Sequence, residues 1–222
     1  MTVKQASCTL STPCPRLRVV AVVLAAGTAS RMGGRPKSLL QRESQTLLAR
    51  LLTQLAQAGI DHTVLVLGHH AQLMQQALQA ANLDLSGPTN RPFMQLHTVV
   101  NPAPEAGQNS SLHLGLAKAQ TLNPEWLMVA LADQPLLQAS DVRALIDAFE
   151  NKPPGMQALY PQVNGQPGNP VLFSRKAVAE ILSTPSDFAC KAWRQATSLE
   201  TSRTGCNAFD TDSITSSTSF DL

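Results

Sequence analysis

The feature that most narrows the fold is an unbroken apolar run, Val19-Val20-Ala21-Val22-Val23-Leu24, with no polar residue to give it a wet face. A continuous β-branched run of this kind is the pattern of a strand buried on both faces, which happens in parallel sheets covered by helices. Three further strand patterns follow: Thr63-Val64-Leu65-Val66-Leu67 ending at Gly68, a segment near 95–100 stopping at Asn101-Pro102, and Trp126-Leu127-Met128-Val129-Ala130-Leu131. Between them lie helical patterns. One near 45–58 carries Leu47, Leu48, Leu51, Leu52 and Leu55 on one face, with Gly59 as its C-terminal cap and Ile60 as the apolar companion. Others run near 70–82 and 110–121. A fourth, with Ser140 as its expected cap, places Val142, Leu145, Ile146 and Phe149 at i, i+3, i+4 and i+7. Four strand–helix alternations in the first 150 residues predict an α/β fold. Its architecture is three-layer and Rossmann-like, a mostly parallel sheet with helices on both faces.

Beyond residue 150 the pattern loosens. Short strands are expected near 156–161 and 170–173, and helices near 174–182 and 187–197. No internal repeat is visible, and 222 residues fit one large domain. Residues 1–17 read as a flexible tail, 18–213 as the single domain and 214–222 as a frayed end. With aromatics at 4%, the core must come from Leu, Val, Ala and Ile.

A formal charge of +2 without a dense Lys/Arg run gives a nucleic-acid or membrane-surface role no electrostatic support. No apolar run approaches the roughly 18–20 residues that cross a bilayer, and no apolar stretch follows Lys4 as a secretory signal would need. The expected compartment is the cytoplasm. Cys8, Cys14, Cys190 and Cys206 form no C-x-x-C pair and no zinc spacing, so they read as free thiols.

In open α/β sheets, ligands bind beyond the carboxyl ends of the strands, and the chemistry-bearing residues stand there. After the first strand comes Gly27-Thr28-Ala29-Ser30-Arg31-Met32-Gly33-Gly34-Arg35-Pro36-Lys37. Glycines admit phosphate oxygens close to backbone amides, and Arg31 and Lys37 supply positive charge. The spacing is neither a Walker loop, since Lys37 follows Pro36, nor a dinucleotide fingerprint, since Ala29 stands two places after Gly27. After the fourth strand, Ala132-Asp133-Gln134-Pro135 puts a carboxylate at a strand tip, where it can hold Mg²⁺ through oxygen. Asp210-Thr211-Asp212-Ser213 offers a second carboxylate from either aspartate. The loop from Asn101 through Gly107 to Ser110-Ser111 turns amides, hydroxyls and a helix start toward the same crevice. Gly165-Gln166-Pro167-Gly168-Asn169-Pro170 is a stiff turn before Val171-Leu172-Phe173. The histidines, His69-His70 included, have no Cys or Asp at metal spacing and receive no role.

Together, Leu24-Ala25-Ala26-Gly27-x-x-Ser30-Arg31-Met32-Gly33 with Lys37, and Leu131-Ala132-Asp133-Gln134-Pro135, resemble the molybdenum cofactor nucleotidyltransferases of the MobA-like superfamily. The resemblance runs over roughly residues 19–213, through Asn101-Pro102, Gly107 with Ser110-Ser111-Leu112, Gly165 to Pro170, and Asp210 to Ser213. It implies the nucleotide-diphospho-sugar transferase version of the fold. Leu24-Ala25-Ala26-Gly27 is similar to the cytidylyl-transferring branch, whereas the guanylyl-transferring branch typically shows Leu-Ala-Gly-Gly; a second glycine would leave more room for the base than Ala26 does. The implied reaction joins CTP to a molybdopterin-type phosphate with release of pyrophosphate, and a molybdenum hydroxylase would receive the product.

On this reading Arg31, Lys37 and Asp133 are the catalytic set. Leu24, Ala25, Ala26, Gly27, Gly68, Gly107 and Ser110 contact the nucleotide. Asp133 with Asp210 or Asp212 holds Mg²⁺, with Mn²⁺ as a substitute. Gly168, Asn169 and Pro170 face the acceptor. The chain departs from the family pattern at Gly168-Asn169-Pro170, where Gly-His-Pro is usual, at Ser186 to Cys190, and after Asp212. These places bear on the acceptor. Two alternatives therefore stand beside the first reading: transfer to another small phosphorylated acceptor such as a sugar phosphate, and a non-catalytic maturation protein that binds the pterin. A nicotinamide-dependent oxidoreductase lacks its glycine fingerprint.

Overall fold

The computed structural model describes residues 19–29, 35–88, 93–152, 154–163 and 166–185, and the backbone of 201–205. The expected tail over 1–17, helix near 187–197 and frayed end over 214–222 lie outside them.

The first strand, β1 (Val19–Ala25), is followed by a 3₁₀ turn at Lys37–Leu39 and a small hairpin of β2 (Gln41–Arg42) and β3 (Gln45–Thr46). Helix α1 (Leu47–Gln57) starts at the first leucine of its apolar pattern and not near 45, because Gln45 and Thr46 are committed to the hairpin. Thr46 caps it by accepting a bond from the Ala49 amide, 3.1 Å. At its other end Gly59, with φ +91°, and Ile60 close the helix as expected: Gly59 N–H bonds Ala56 O and Ile60 N–H bonds Leu55 O. Strand β4 (His62–Leu67), helix α2 (Ala71–Ala80), strand β5 (Gln95–Val100), helix α3 (Gln108–Gln120) and strand β6 (Trp126–Leu131) complete the regular part.

Helix α4 (Ala139–Glu150) corrects one expectation. Its cap is Gln138, not Ser140: the Gln138 side chain accepts from the amide of Asp141, and the Asp141 carboxylate accepts from the Gln138 N–H at 2.9 Å. An anionic acceptor three residues into the helix satisfies the orphan amide that Ser140, already inside the first turn, cannot reach. The chain then forms β7 (Ala158–Val163), β8 (Gln166–Pro167), β9 (Val171–Ser174), α5 (Arg175–Ser183) and β10 (Thr201–Gly205), the last of which no sequence pattern announced.

The sheet order is β10-β7-β9-β6-β1-β4-β5, with β8 paired to β7. β6, β1, β4 and β5 run parallel, with Val22 facing Val64 on one side and Val129 on the other. β9 is inserted antiparallel between β6 and β7, so the sheet is mixed but mostly parallel. The unbroken apolar run now has its cause. Val19, Ala21, Val23 and Ala25 pack on one face with Leu48, Leu51, Leu52 and Leu55 of α1, and with Val142, Leu145 and Phe149 of α4. Val20, Val22 and Leu24 pack on the other with Leu112 and Leu116 of α3 and Val178 and Ile181 of α5. Each fully buried leucine of α1 is worth about 1.5–3 kcal/mol relative to exposure. α3 lies so close that a Cβ on Gly115 would sit 2.5 Å from Val22 and 2.7 Å from Val66.

Candidate functional site

The chain passes from β1 to β4 and β5 on one side, then returns to β6 on the other, so the sheet's direction of growth reverses beside β1. At such a switch point the loops after neighbouring strands diverge and leave a crevice at their carboxyl ends. A cleft of about 520 Å³ opens there. Its walls are Leu24 to Ala29 after β1, Pro36 to Ser38 at the 3₁₀ turn, Pro104, Gly107, Gln108 and Ser111 before and in α3, Met74 of α2, and Leu131 to Asp133 after β6.

Each wall has a local reason to be where it is. The Ala132 N–H bonds Leu24 O at 3.0 Å, so the pairing of β1 with β6 continues one residue past the strand and sets Asp133 beside Ala25 and Ala26. Pro36 is buried while Lys37, exposed at the start of its turn, lines the cleft, and the turn is closed by Leu39 N–H to Pro36 O and Leu40 N–H to Lys37 O, each 3.0 Å. On the α3 side, buried Asn101 organises the loop. Its side-chain amide donates to Ser110 Oγ (2.8 Å) and Ser111 Oγ (2.9 Å), and its Oδ1 accepts from Ala103 N–H (3.0 Å). Gly107, at φ +95°, makes the reversal into α3 that an L side chain rarely adopts. Burial holds the His113 imidazole of α3 below the ordinary histidine range.

The sequence-derived residues divide accordingly. Leu24, Ala25, Ala26, Gly27, Lys37, Gly107 and Asp133 share the cleft. Gly68 stands behind its wall, so near Ala26 that an added Cβ would meet the Ala26 Cβ at 2.7 Å. Ser110 is turned away and donates to Gly107 O at 2.8 Å, and its neighbour Ser111 takes the place on the wall. Gly168, Asn169 and Pro170 do not line the cleft, but Asn169 O accepts from Gln134 Nε2 at 3.2 Å. Gln134 Oε1 in turn accepts from Leu131 N–H, also at 3.2 Å. Arg31, Asp210 and Asp212 lie outside the described residues.

Sequence reasoning named Asn101 and Ser111 only as parts of a loop facing the crevice and Gln134 only within the Asp133 motif, and it gave Met74 no role. The available signal was position, since each stands within a few residues of a strand's carboxyl end or on the first helix turns after one. Among the described residues, no three His, Cys, Asp or Glu side chains gather as a metal cluster, and no helix is long and apolar enough to cross a membrane.

Residues 21–201 match the family model of the MobA-like NTP transferase domain. The nicotine blue oxidoreductase of Paenarthrobacter nicotinovorans is 35% identical over 128 residues, covering 58% of this chain and 55% of that protein. The CMP-5'-(3-aminopropyl)phosphonate synthase of Streptomyces rubellomurinus is 38% identical over 105 residues, covering 46% of this chain and 15% of that protein. The chain thus spans about half, or much less, of these relatives' lengths. Among solved structures, Rv0371c of Mycobacterium tuberculosis H37Rv is 26% identical, with a TM-score of 0.65 over 90% of this chain and 94% of that one. The same protein has been solved in complex with manganese, with 24% identity and a TM-score of 0.61 over 87% and 92% of the two chains. The fold is that of the nucleotide-diphospho-sugar transferases.

Proposed function

The chain belongs to the MobA-like NTP transferase domain family, and on that premise we propose that it is a nucleotidyltransferase acting on CTP and a molybdopterin-type phosphate. The observation that carries the reading is the placing of Lys37, Asp133 and the Ala26–Ala29 backbone around one cleft at the β1/β6 switch point. In the reaction, an acceptor phosphate oxygen attacks the α-phosphorus in line. The new P–O bond forms as the bond to the bridging oxygen breaks, and pyrophosphate leaves with the electron pair. Such transfers need positioning and charge neutralisation more than covalent chemistry.

The chain's own residues divide this work. Lys37, an exposed residue of the cleft wall, neutralises charge on the α-phosphate and the departing pyrophosphate. The backbone of Ala25, Ala26 and Gly27 lies against base and phosphates, where Ala26 narrows the space to favour a pyrimidine. Gly107 keeps its own place on the α3 side of the cleft free of a side chain. A phosphate nucleophile is already ionised at pH 7, so no histidine base is required.

The donor chemistry fits a hard divalent ion. Asp133 is an exposed carboxylate at the tip of a buried strand, with no ion pair or hydrogen bond among the described residues, and oxygen donors of this kind suit Mg²⁺ or Mn²⁺. Asp133 would hold the ion, with Asp210 or Asp212 as the second ligand and Arg31 as a further cation of the loop. When bound, the ion supplies charge neutralisation on the phosphate oxygens. The acceptor is assigned to the side bounded by Gln134 and the Gly168–Pro170 turn, and the product to a molybdenum hydroxylase.

The test is pyrophosphate release with each of the four nucleoside triphosphates, with and without molybdopterin. CTP with molybdopterin should give the highest rate. Release that needs a sugar phosphate instead would move the acceptor to that class. Release with none of the triphosphates would overturn the transferase reading in favour of a cofactor-binding maturation protein.

A further inference from the structure

One contact at the cleft has no part in the reaction just described. His70 is the N-cap residue of α2, yet its imidazole makes no bond to its own helix. It reaches 42 residues back along the chain, where its Nε2 stands 3.2 Å from the carbonyl oxygen of Thr28 on the cleft wall. A carbonyl can only accept, so Nε2 carries the proton and donates. The very next residue, Ala29, has φ +56°, a left-handed conformation that a side chain with a Cβ adopts only where its surroundings impose it. The segment that delivers His70 is itself pressed on the loop: Gly68 lies where a Cβ would meet Ala26 Cβ at 2.7 Å and Ala26 O at 2.8 Å. His70 is fixed in place from behind, by Ala71 N–H to Gly68 O and by Met74 N–H to His70 O, each 3.0 Å.

From these observations we propose that His70 is a positioning residue, a strap that bonds Thr28 O and holds the Gly27–Ala29 backbone in the turn that meets the nucleotide's phosphates. What the loop grips rests on the transferase reading above; the strap itself does not. A loop held in its bound shape before the ligand arrives binds more tightly, because the ordering has already been done. The strap therefore acts on nucleotide affinity and leaves the chemical step alone. Thr28 and Gly27 are exposed, so among the described residues little burial holds the turn.

Two variants and two readouts test this. His70→Leu keeps the bulk and removes the donor. His70→Gln places a side-chain amide N–H at about the depth of Nε2. For His70→Leu the expected result is a rise in KM for the nucleoside triphosphate of about three- to tenfold, the equivalent of one hydrogen bond, with kcat unchanged. Backbone order parameters at Gly27, Thr28 and Ala29 in the ligand-free protein should fall, while the melting temperature holds. His70→Gln should restore both KM and the order parameters. Unchanged KM and order parameters in His70→Leu would overturn the proposal, as would a fall in kcat at constant KM, or a His70→Gln variant no better than the leucine one. If the wild-type protein releases no pyrophosphate with any triphosphate, the transferase reading has failed and the order parameters alone decide the strap.

Discussion

The two halves of the sheet, divided at β6, obey different rules. On the β1, β4 and β5 side every strand is parallel, each is followed by a helix, and the loops at the carboxyl ends converge on the cleft. On the β9, β7 and β10 side an antiparallel strand is inserted, and among the described residues the Gly168–Pro170 turn is tied to the site through Gln134. The first half offers backbone and a cation to the cleft, and the second a turn outside it. On the proposed function the first is a general grip on phosphates and the second a particular one on the acceptor, with Asp133 at their junction.

The junction should be the most sensitive place. Asp133→Ala is expected to lower turnover by on the order of 10³-fold, several kcal/mol of transition-state stabilisation. Its circular dichroism and melting temperature should match the parent, since the carboxylate is exposed and unpaired among the described residues. Near-parental turnover would remove Asp133 from the metal site. Lys37→Ala should follow with a loss of about 10²-fold in kcat/KM for the triphosphate. A Lys37→Ala enzyme that loses only acceptor affinity would reverse the assignment of the two halves.

Two glycines separate packing from binding within the parallel half. At Gly115 an alanine Cβ would fall 2.5 Å from Val22 Cγ1 and 2.7 Å from Val66 Cγ2, both short, β-branched and held by neighbours. Gly115→Ala should cost about 1–3 kcal/mol, a fall in melting temperature of several degrees in a domain of this size. At Gly27 an added Cβ meets nothing within 4 Å, so Gly27→Ala should melt with the parent and show its effect as a raised triphosphate KM. If Gly27→Ala were the less stable of the two, the loop would be part of the packed core and not an open wall.

This contrast also explains what the sequence could say. β1, β4 and β6 were legible because burial on both faces demands an unbroken apolar run, and α1 and α4 because a single buried face imposes its period. That Lys37, Asp133 and the Leu24–Gly27 segment share one cleft was legible, because parallel topology sends strand ends and the loops after them to one edge. Ser110 and Gly68 were assigned to the nucleotide, yet the structure gives the wall to Ser111 and sets Gly68 against Ala26. Neighbouring residues of a helix start face different directions, and that rotation is fixed by Asn101, through bonds no spacing rule reveals. β10 and the two-residue strands were invisible because their pairing is set by tertiary position and not by pattern. The cap of α4 was misplaced because Gln138, a weak capping residue, is made adequate by Asp141.

Gln134 gives the finest test of the comparison, because it alone ties the two halves through one side chain of the described site. Its Oε1 accepts from Leu131 N–H in the general grip, and its Nε2 donates to Asn169 O in the particular one. Gln134→Leu removes both bonds, for a combined effect of about 1–3 kcal/mol, some of it from the stranded Leu131 amide. Gln134→Glu keeps an acceptor for Leu131 but sets a carboxylate oxygen against the Asn169 carbonyl. If the turn serves the acceptor, both variants should raise the acceptor KM by about tenfold while the triphosphate KM stays within twofold, and the glutamate variant should be no milder than the leucine. The separation of the two Michaelis constants is the decisive reading. A glutamate variant with normal acceptor KM would mean that the link to Leu131 is the one that matters and that the Gly168–Pro170 turn belongs to the scaffold. A rise in both constants together would mean that the halves move as one body and that the division drawn at β6 has no functional counterpart.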